Sequence, residues 1–426
     1  MKQDRKRSSK RKVQAVAART VQLPLPVLGV LLDARSAFFE LCIETGRSVL
    51  MAMQEADREM LCGEKGRHDL QRRAVRGGST PSRVTLGGRA IAVSRLRARG
   101  EEGELGLPSF LWAADRDPLD NHTLAVIGAG VSTRRYRRTL DTLPTGVQEA
   151  STSKSAVSRR FVTLSRRRMV EFLARPLPDL DLRVIFIDGK VFKQHTLLIA
   201  LGVDSDGKKH VLGVREGATE NARVVTSLLA DLVDRGLSTD RPILFVIDGA
   251  KALRKAIRDV FGDAALVQRC QVHKRRNVLD HLPEQLRPSV HRALDDAYQS
   301  DSASLAKRQL ERLAHSLDHD HPGAAASLRE GLEETVTVQA LGIAGALRRT
   351  LATTNPIENL NGSVAGYCHN VKRWRGGLMI QRWVTAALVD AEQQFRRVRG
   401  FRDLPRLITA LNNNRITEAP SAAMVA

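Results

Sequence analysis

The sequence predicts an α/β protein. A mixed sheet carries an all-α insertion and follows a mainly helical, basic N-terminal region with a small β-hairpin. Three observations lead there. Two short apolar runs, Val184-Ile185-Phe186-Ile187 and Leu244-Phe245-Val246-Ile247, each end in Asp-Gly, the pattern of buried strands stopped at a turn. Around them, strand and helix patterns alternate. From 275 to 345, leucines recur among charged residues at helical spacing.

Residues 1–20 read as a disordered basic tail, since the like charges of Arg5-Lys6-Arg7 and Lys10-Arg11-Lys12 repel one another. Residues 21–178 form the N-terminal region. Phe38, Phe39, Cys42, Ile43, Val49 and Leu50 predict a helix over Ser36–Met60. Arg83–Leu86 and Arg89–Val93 flank Gly87-Gly88 as two hairpin strands, and Arg95–Leu107 offers a third. Residues 121–175 read as helical and strongly basic. Ser132-Thr133 caps a helix bearing Arg134, Arg135, Arg137 and Arg138. Ser153 caps another, with Val157, Phe161, Val162 and Leu164 inward and Lys154, Arg159 and Arg160 outward. Two such helices about a turn read as a helix-turn-helix whose Arg134, Arg135, Lys154, Arg159 and Arg160 meet DNA; a basic helical linker is the alternative.

Pro176 and Pro178 mark a boundary. Strands are predicted at Arg183–Asp188, Leu197–Val203 and His210–Val214, with Asp206-Gly207 as a hairpin turn. A helix over Asn221–Arg235 stops at Gly236, followed by a strand Ile243–Asp248, a helix through Leu253, Ala256 and Ile257 to Gly262, and a strand Ala265–Val267. A three-strand meander followed by such alternation is the strand order of the ribonuclease H-like fold. That core takes residues 179–274 and 346–405, with the helical insertion between them and a C-terminal tail at 406–426.

Charge points to the partner. Among 426 residues, 68 Lys and Arg face 47 Asp and Glu, a surplus of 21, which suits a nucleic acid. The four scattered cysteines exclude a disulfide framework and fit a reducing compartment. No uninterrupted apolar run reaches the ~18 residues that a membrane span requires.

Asp188 and Asp248 close the first and fourth strands. If those strands are neighbours, the two carboxylates converge, and two close anions require a neutralising cation. Hard oxygen ligands suit two ions of Mg²⁺ or Mn²⁺, which about 3.5–4 Å apart can activate an attacking oxygen and stabilise a leaving one in phosphoryl transfer. Glu358, just after Pro356 in a helical first turn, is the third acid.

The motifs Asp188-Gly189-Lys190, Ile247-Asp248-Gly249-Ala250-Lys251-Ala252-Leu253, Cys270-Gln271-Val272-His273, Thr354-Asn355-Pro356-Ile357-Glu358-Asn359-Leu360-Asn361 and Asn370-Val371-Lys372-Arg373-Trp374-Arg375-Gly376-Gly377 resemble those of Mutator-type transposases of bacterial insertion sequences. The resemblance spans roughly residues 20–405. It implies a triad of Asp188, Asp248 and Glu358 binding two divalent ions, cleavage at element ends, and joining of the freed 3′-hydroxyl to target DNA. It further implies binding to terminal inverted repeats, a homodimer or larger assembly on DNA, and a bacterial cytoplasmic, nucleoid-associated setting. A nuclease without strand transfer and a non-catalytic DNA-binding regulator are the alternatives.

Cys270 and His273 belong to the same pattern. They supply only two of the four ligands of a zinc site, so as supporting residues beside Asn355 they buttress the acids, touch DNA or simply pack. Many transposases of this chemistry carry Lys or Arg seven residues after the glutamate. Here Ala365 stands there, and His369 and Lys372 lie near that face. Lys372, Arg373, Trp374 and Arg375 form a DNA-backbone track with an aromatic for base stacking. Trp383, among Ala386, Ala387, Leu388 and Val389, reads as core.

Overall fold

The computed structural model describes residues 34–67, 69–115, 122–140, 147, 149–192, 195–217, 221–262 and 265–418. The tail expected at 1–20 lies outside them. The chain divides into two compact units. One contains the described residues up to Val126 and those from Thr133 to Ser158; the other contains 127–132 and everything from Arg159 onward.

In the first unit, helix α1 (Ala34–Cys62) precedes strands β1 (Val75–Leu86), β2 (Arg89–Gly100) and β3 (Gly103–Leu105) and helix α2 (Pro108–Asp115). β1 pairs antiparallel with β2 around Gly87 and Gly88, both at positive φ (59° and 78°), which the two-residue turn requires. The strands run well past the few residues whose alternation marks them in the sequence. β2 also continues to Gly100, so only Gly103–Leu105 is left for a third strand. Ile43, Leu50, Leu86, Ile91, Ala98 and Phe110 form the core.

Helix α3 (His122–Gly128) comes next, but the helix expected over Arg134–Arg138 does not form. Thr133–Arg135 is a turn leading to a single 3₁₀ turn, Tyr136–Thr139. Fully buried Tyr136 is the reason. Its hydroxyl donates to the Gly88 carbonyl (2.8 Å) and meets the Thr123 hydroxyl (2.9 Å), holding the segment at the hairpin turn. Strand β4 (Glu149–Ser151) and helix α4 (Lys154–Leu173) follow.

The second unit is built on strands β5 (Leu182–Phe192), β6 (His195–Asp204), β7 (Lys209–Glu216), β8 (Leu244–Ile247) and β9 (Leu266–Arg269). Their order is β7-β6-β5-β8-β9. β6 is antiparallel to both neighbours, whereas β5, β8 and β9 run parallel. Along β5, Val184 and Phe186 enter one core and Ile185 and Ile187 the other. Both faces are covered, so the strands read as unbroken apolar runs. Helices α5 (Ala222–Asp234) and α6 (Lys251–Phe261) cover one face through Leu228, Leu232, Leu253 and Ile257.

Between β9 and the return of the chain lie α7 (Gln271–Asp280), α8 (Arg287–Gln299), α9 (Ala303–Leu317), α10 (Pro322–Arg329), α11 (Thr337–Ala340) and α12 (Gly345–Leu351). Helices α7 to α10 enclose their own core of Val278, Leu294, Leu310 and Leu328. Helices α13 (Asn355–Cys368), α14 (Gly377–Glu392) and α15 (Leu404–Glu418) then cover the second face of the sheet. Residues 406–418 are therefore not a tail, because Leu404, Leu407 and Leu411 form a buried stripe at helical spacing. Among the described residues no helix is long and apolar enough to cross a membrane.

The insertion is fastened to the sheet edge by buried polar groups. The Gln268 amide donates to the Thr335 carbonyl (2.8 Å) and accepts from the Val338 N–H (2.9 Å). Arg269 pairs with Glu334 at 2.9 Å, and the Lys274 ammonium donates to the carbonyls of Ser327 and Glu330. Burial lowers Lys274 to about 8. Gln268→Leu is expected to cost about 1–3 kcal/mol in denaturant unfolding, because it leaves the buried Val338 N–H unpaired, while Gln271 Nε2 still donates to the Thr335 carbonyl at 2.8 Å.

Candidate active site

The register of β5 and β8 decides where the two aspartates emerge. Ile187 lies beside Ile247 in the parallel pair, so Asp188 and Asp248 follow at the same level of adjacent strands. β5 continues to Phe192 against β6, which keeps Asp188 in the ladder and only 8% exposed. β8 stops at Ile247. Asp248 begins a turn in which its Oδ1 accepts the Ala250 N–H at 2.9 Å, and Gly249 takes φ +108°.

Burial pushes the Asp188 carboxyl up to about 6, and the charge of Asp248 pushes in the same direction. Glu358 adds to the rise, while His273 and the Gly189 N–H oppose it. Asp248 and Glu358, far apart in the chain, therefore both act electrostatically on Asp188.

Glu358 is carried by α13. Its Oε1 accepts from the Thr354 hydroxyl at 2.8 Å and lies 3.9 Å from His273 Nε2. Fully buried Thr354 is the hub. Its Oγ1 also lies 3.3 Å from Cys270 Sγ and 3.4 Å from His273 Nδ1, and its backbone N–H points to the same sulfur at 3.4 Å. A hydroxyl has one proton. If it goes to the short contact with Glu358, it is not available to Cys270 Sγ, which then accepts from the Thr354 backbone N–H. Burial pushes the Cys270 thiol up, but hydrogen bonds from His273 and Thr354 outweigh it and hold the thiol below its usual value. The bond to Cys270 in turn raises His273, with help from Glu358 and Asp188.

Asn361, one helical turn beyond Glu358, completes the cluster. Buried, it donates from Nδ2 to Asp188 Oδ2 at 2.8 Å, and its Oδ1 has no partner. Neither Thr354 nor Asn361 stands out in the sequence as a site residue. The available signal was their place in the Thr354–Asn361 motif, where Asn361 falls three residues after Glu358 on the inward side.

Among the described residues, no three His, Cys, Asp or Glu side chains form a closed metal-ligand set, and the Glu358 carboxylate is engaged by Thr354. The donor chemistry nevertheless fits a hard divalent cation. Asp188, Asp248 and Glu358 offer carboxylate oxygens, Asn361 Oδ1 is an orphaned buried acceptor, and Asp188 is pushed up first by burial and then by the charge of Asp248. The donors do not suit zinc. Cys270 and His273 are committed to Thr354, and Cys368 is buried in the main core, where burial raises its thiol to about 12.

The remaining expected site residues lie outside this cluster. Asn355 is exposed at the start of α13. His369 caps the end of that helix, its Nδ1 2.7 Å from the Gly366 carbonyl. Lys372, Arg373 and Arg375 are exposed on the link to α14, whereas Trp374 is half-buried, edge-on to Trp383 at 6.5 Å. Trp383 packs on Phe161 at 4.4 Å. Arg134, Arg135, Lys154 and Arg159 are exposed and Arg160 is half-buried.

Ionised Asp188 is disfavoured in the fold, so the metal-free protein should gain stability as pH falls from 7 toward 5 and native Asp188 binds a proton that the unfolded chain does not. Asp188→Asn should remove this dependence and stabilise the metal-free protein at pH 8 by about 2–3 kcal/mol. Mg²⁺ should raise the Tm of the unmutated chain and not that of the variant. Thermal unfolding at pH 5 and 8, with and without Mg²⁺, checks all three.

A family model described as "Transposase, Mutator family" matches residues 40–398. The chain is 32% identical over 194 residues to the transposase for insertion sequence element IS6120 of Mycolicibacterium smegmatis, covering 44% of this chain and 58% of that protein. It is 27% identical over 277 residues to the transposase for IS256 in transposon Tn4001 of Staphylococcus aureus, covering 63% and 68%. It is 29% identical over 304 residues to the transposase for IS1081 of Mycobacterium tuberculosis, covering 68% and 70%. A match running from α1 to the end of α14 takes in every strand and all three acids, and so this chain belongs to the Mutator family of transposases.

Proposed function

We propose that this chain binds the inverted-repeat ends of an insertion sequence as double-stranded DNA and catalyses metal-dependent cleavage and strand transfer with Asp188, Asp248 and Glu358. The observation that supports this reading is the parallel register that sets Asp188 beside Asp248 on neighbouring strands, with Glu358 adding to the rise of the Asp188 carboxyl. The order β7-β6-β5-β8-β9, with β6 alone running against the others, supports a ribonuclease H-like core. The surplus of 21 positive charges supports a DNA substrate.

Each residue then has a task. Asp188 and Asp248 present oxygens from the sheet, and Glu358 presents its own from α13. Asn361 orients Asp188, and Thr354 orients Glu358. His273, inclined to carry a proton by Cys270, places positive charge beside the acids, where a scissile phosphate would lie. Two Mg²⁺ or Mn²⁺ ions, when bound, would supply Lewis-acid stabilisation for the attacking and leaving oxygens. Joining two ends at one target calls for a homodimer or larger assembly.

The test is a Mg²⁺-dependent assay with the DNA flanking this coding region, offered intact and as a pre-cut end. Joined products are expected. Cleavage without joining would leave only a nuclease, and binding without either would leave a regulator. Asp248→Ala should reduce cleavage to background while end binding persists. Thr354→Val and Asn361→Ala should each lower the rate about 10–100-fold, as loss of groups that orient metal ligands does.

A further inference from the structure

We propose that a basic cavity beside α13 holds the phosphate backbone of the DNA strand that reaches the acids. The inference rests on the transposase reading and gives it a substrate track outside the motifs. The cavity, about 510 Å³, is lined by Lys209 on β7, Arg349 on α12, Arg397 and Arg399 after α14, and Asn355 and Asn359 on the first turns of α13. None of its lining residues is acidic.

The four cations differ from their neighbours in how they are partnered. His210 pairs with Asp204, and Arg348 with Asp301. Among the described residues no carboxylate pairs with Lys209, Arg349, Arg397 or Arg399. Two of them rest on aromatic rings instead. The Lys209 ammonium is 4.6 Å from the Phe395 centroid and the Arg397 guanidinium 5.0 Å from that of Phe401. A ring attracts a cation without cancelling its charge. Lys209 is also half-buried, and this lost hydration is offset best by an anion.

The backbone builds the cavity. Gly400 has φ +79°, and a Cβ there would meet the Leu347 backbone nitrogen at 2.3 Å, so glycine lets the 397–400 segment lie directly on α12. The Thr350 hydroxyl donates to the Arg399 carbonyl (3.0 Å) and holds Arg399 near Arg349. The Val398 N–H donates to the Gly207 carbonyl (2.9 Å) and brings the segment to the turn before Lys209. Asn355 and Asn359, four residues apart, share one face of α13. Glu358 lies about 100° around the helix from Asn359, on the way to Asn361 and Asp188. A strand in the cavity therefore runs alongside the face that carries Glu358.

The test uses the full chain carrying Asp248→Ala, without Mg²⁺, and the DNA flanking the coding region, with affinity measured across a salt series. The triple change Arg349→Gln, Arg397→Gln and Arg399→Gln should reduce the slope of log affinity against log salt by about 2–3, since each neutralised phosphate contributes about 0.7–0.9. An equal charge change at exposed Arg292, Arg308 and Arg312 on the insertion should alter it by less than about 1. The single change Arg349→Glu should reduce the slope alone, which keeps the test available if the triple variant folds poorly. An unchanged slope in the cavity variants, or an equal loss in the insertion variant, overturns the proposal. If the parent chain fails to bind this DNA at all, the transposase reading falls first and the cavity assignment with it.

Discussion

The parallel register of β5 with β8 is the constraint from which the site follows. Ile187 beside Ile247 sets Asp188, still in the ladder, level with Asp248 at the end of β8, and helices on both faces deny Asp188 an easy route to water. The fold thus keeps like charges close in a poorly solvated place, and the Asp188 carboxyl is pushed up by burial first and by Asp248 second. The groups around it answer that cost in part. The Gly189 N–H and Asn361 Nδ2 donate to Asp188, and His273 is biased toward its protonated form. What they leave uncompensated is the property a cation site needs.

The second half of the site depends on where the insertion begins and ends. The chain leaves the sheet at Cys270 and returns at Thr354, and these residues touch although 84 positions separate them. The Gln271 N–H donates to the Ala352 carbonyl at 2.9 Å and closes the same junction. A long excursion whose ends already meet disturbs little at its base, which is why a helical body with its own core can sit between the second and third acids. The junction also creates the hub. Cys270 and His273 come from the exit, Thr354 and Glu358 from the return, and the Thr354 hydroxyl lies within reach of the other three.

Much of the α/β half was legible because its strands carry unbroken apolar runs and its helices α5 and α6 carry clean stripes stopped by Gly236 and Gly262, although β5 runs through Asp188-Gly189 to Phe192 instead of stopping there. The N-terminal unit was harder. The outer parts of β1 and β2 are half-exposed and rich in arginine and small residues, so alternation marks them weakly. Tyr136 looked like a member of a basic helix, whereas a distant carbonyl at Gly88 decides its conformation. The stripe of α15 is masked in the sequence by its asparagines, which make the segment read as a tail.

The sequence by itself determined the alternation of strands and helices, the three candidate acids and the excess of positive charge, because periodicity, motifs and composition are local properties of the chain. Only the tertiary structure decided that Asn361 holds Asp188, that Thr354 mediates between Cys270, His273 and Glu358, and that Lys209, Arg349, Arg397 and Arg399 surround one cavity. Those relations join residues tens to nearly two hundred positions apart. Spacing in a single chain carries no record of them, since they arise only when the strand register and the packing of α13 on the sheet are fixed.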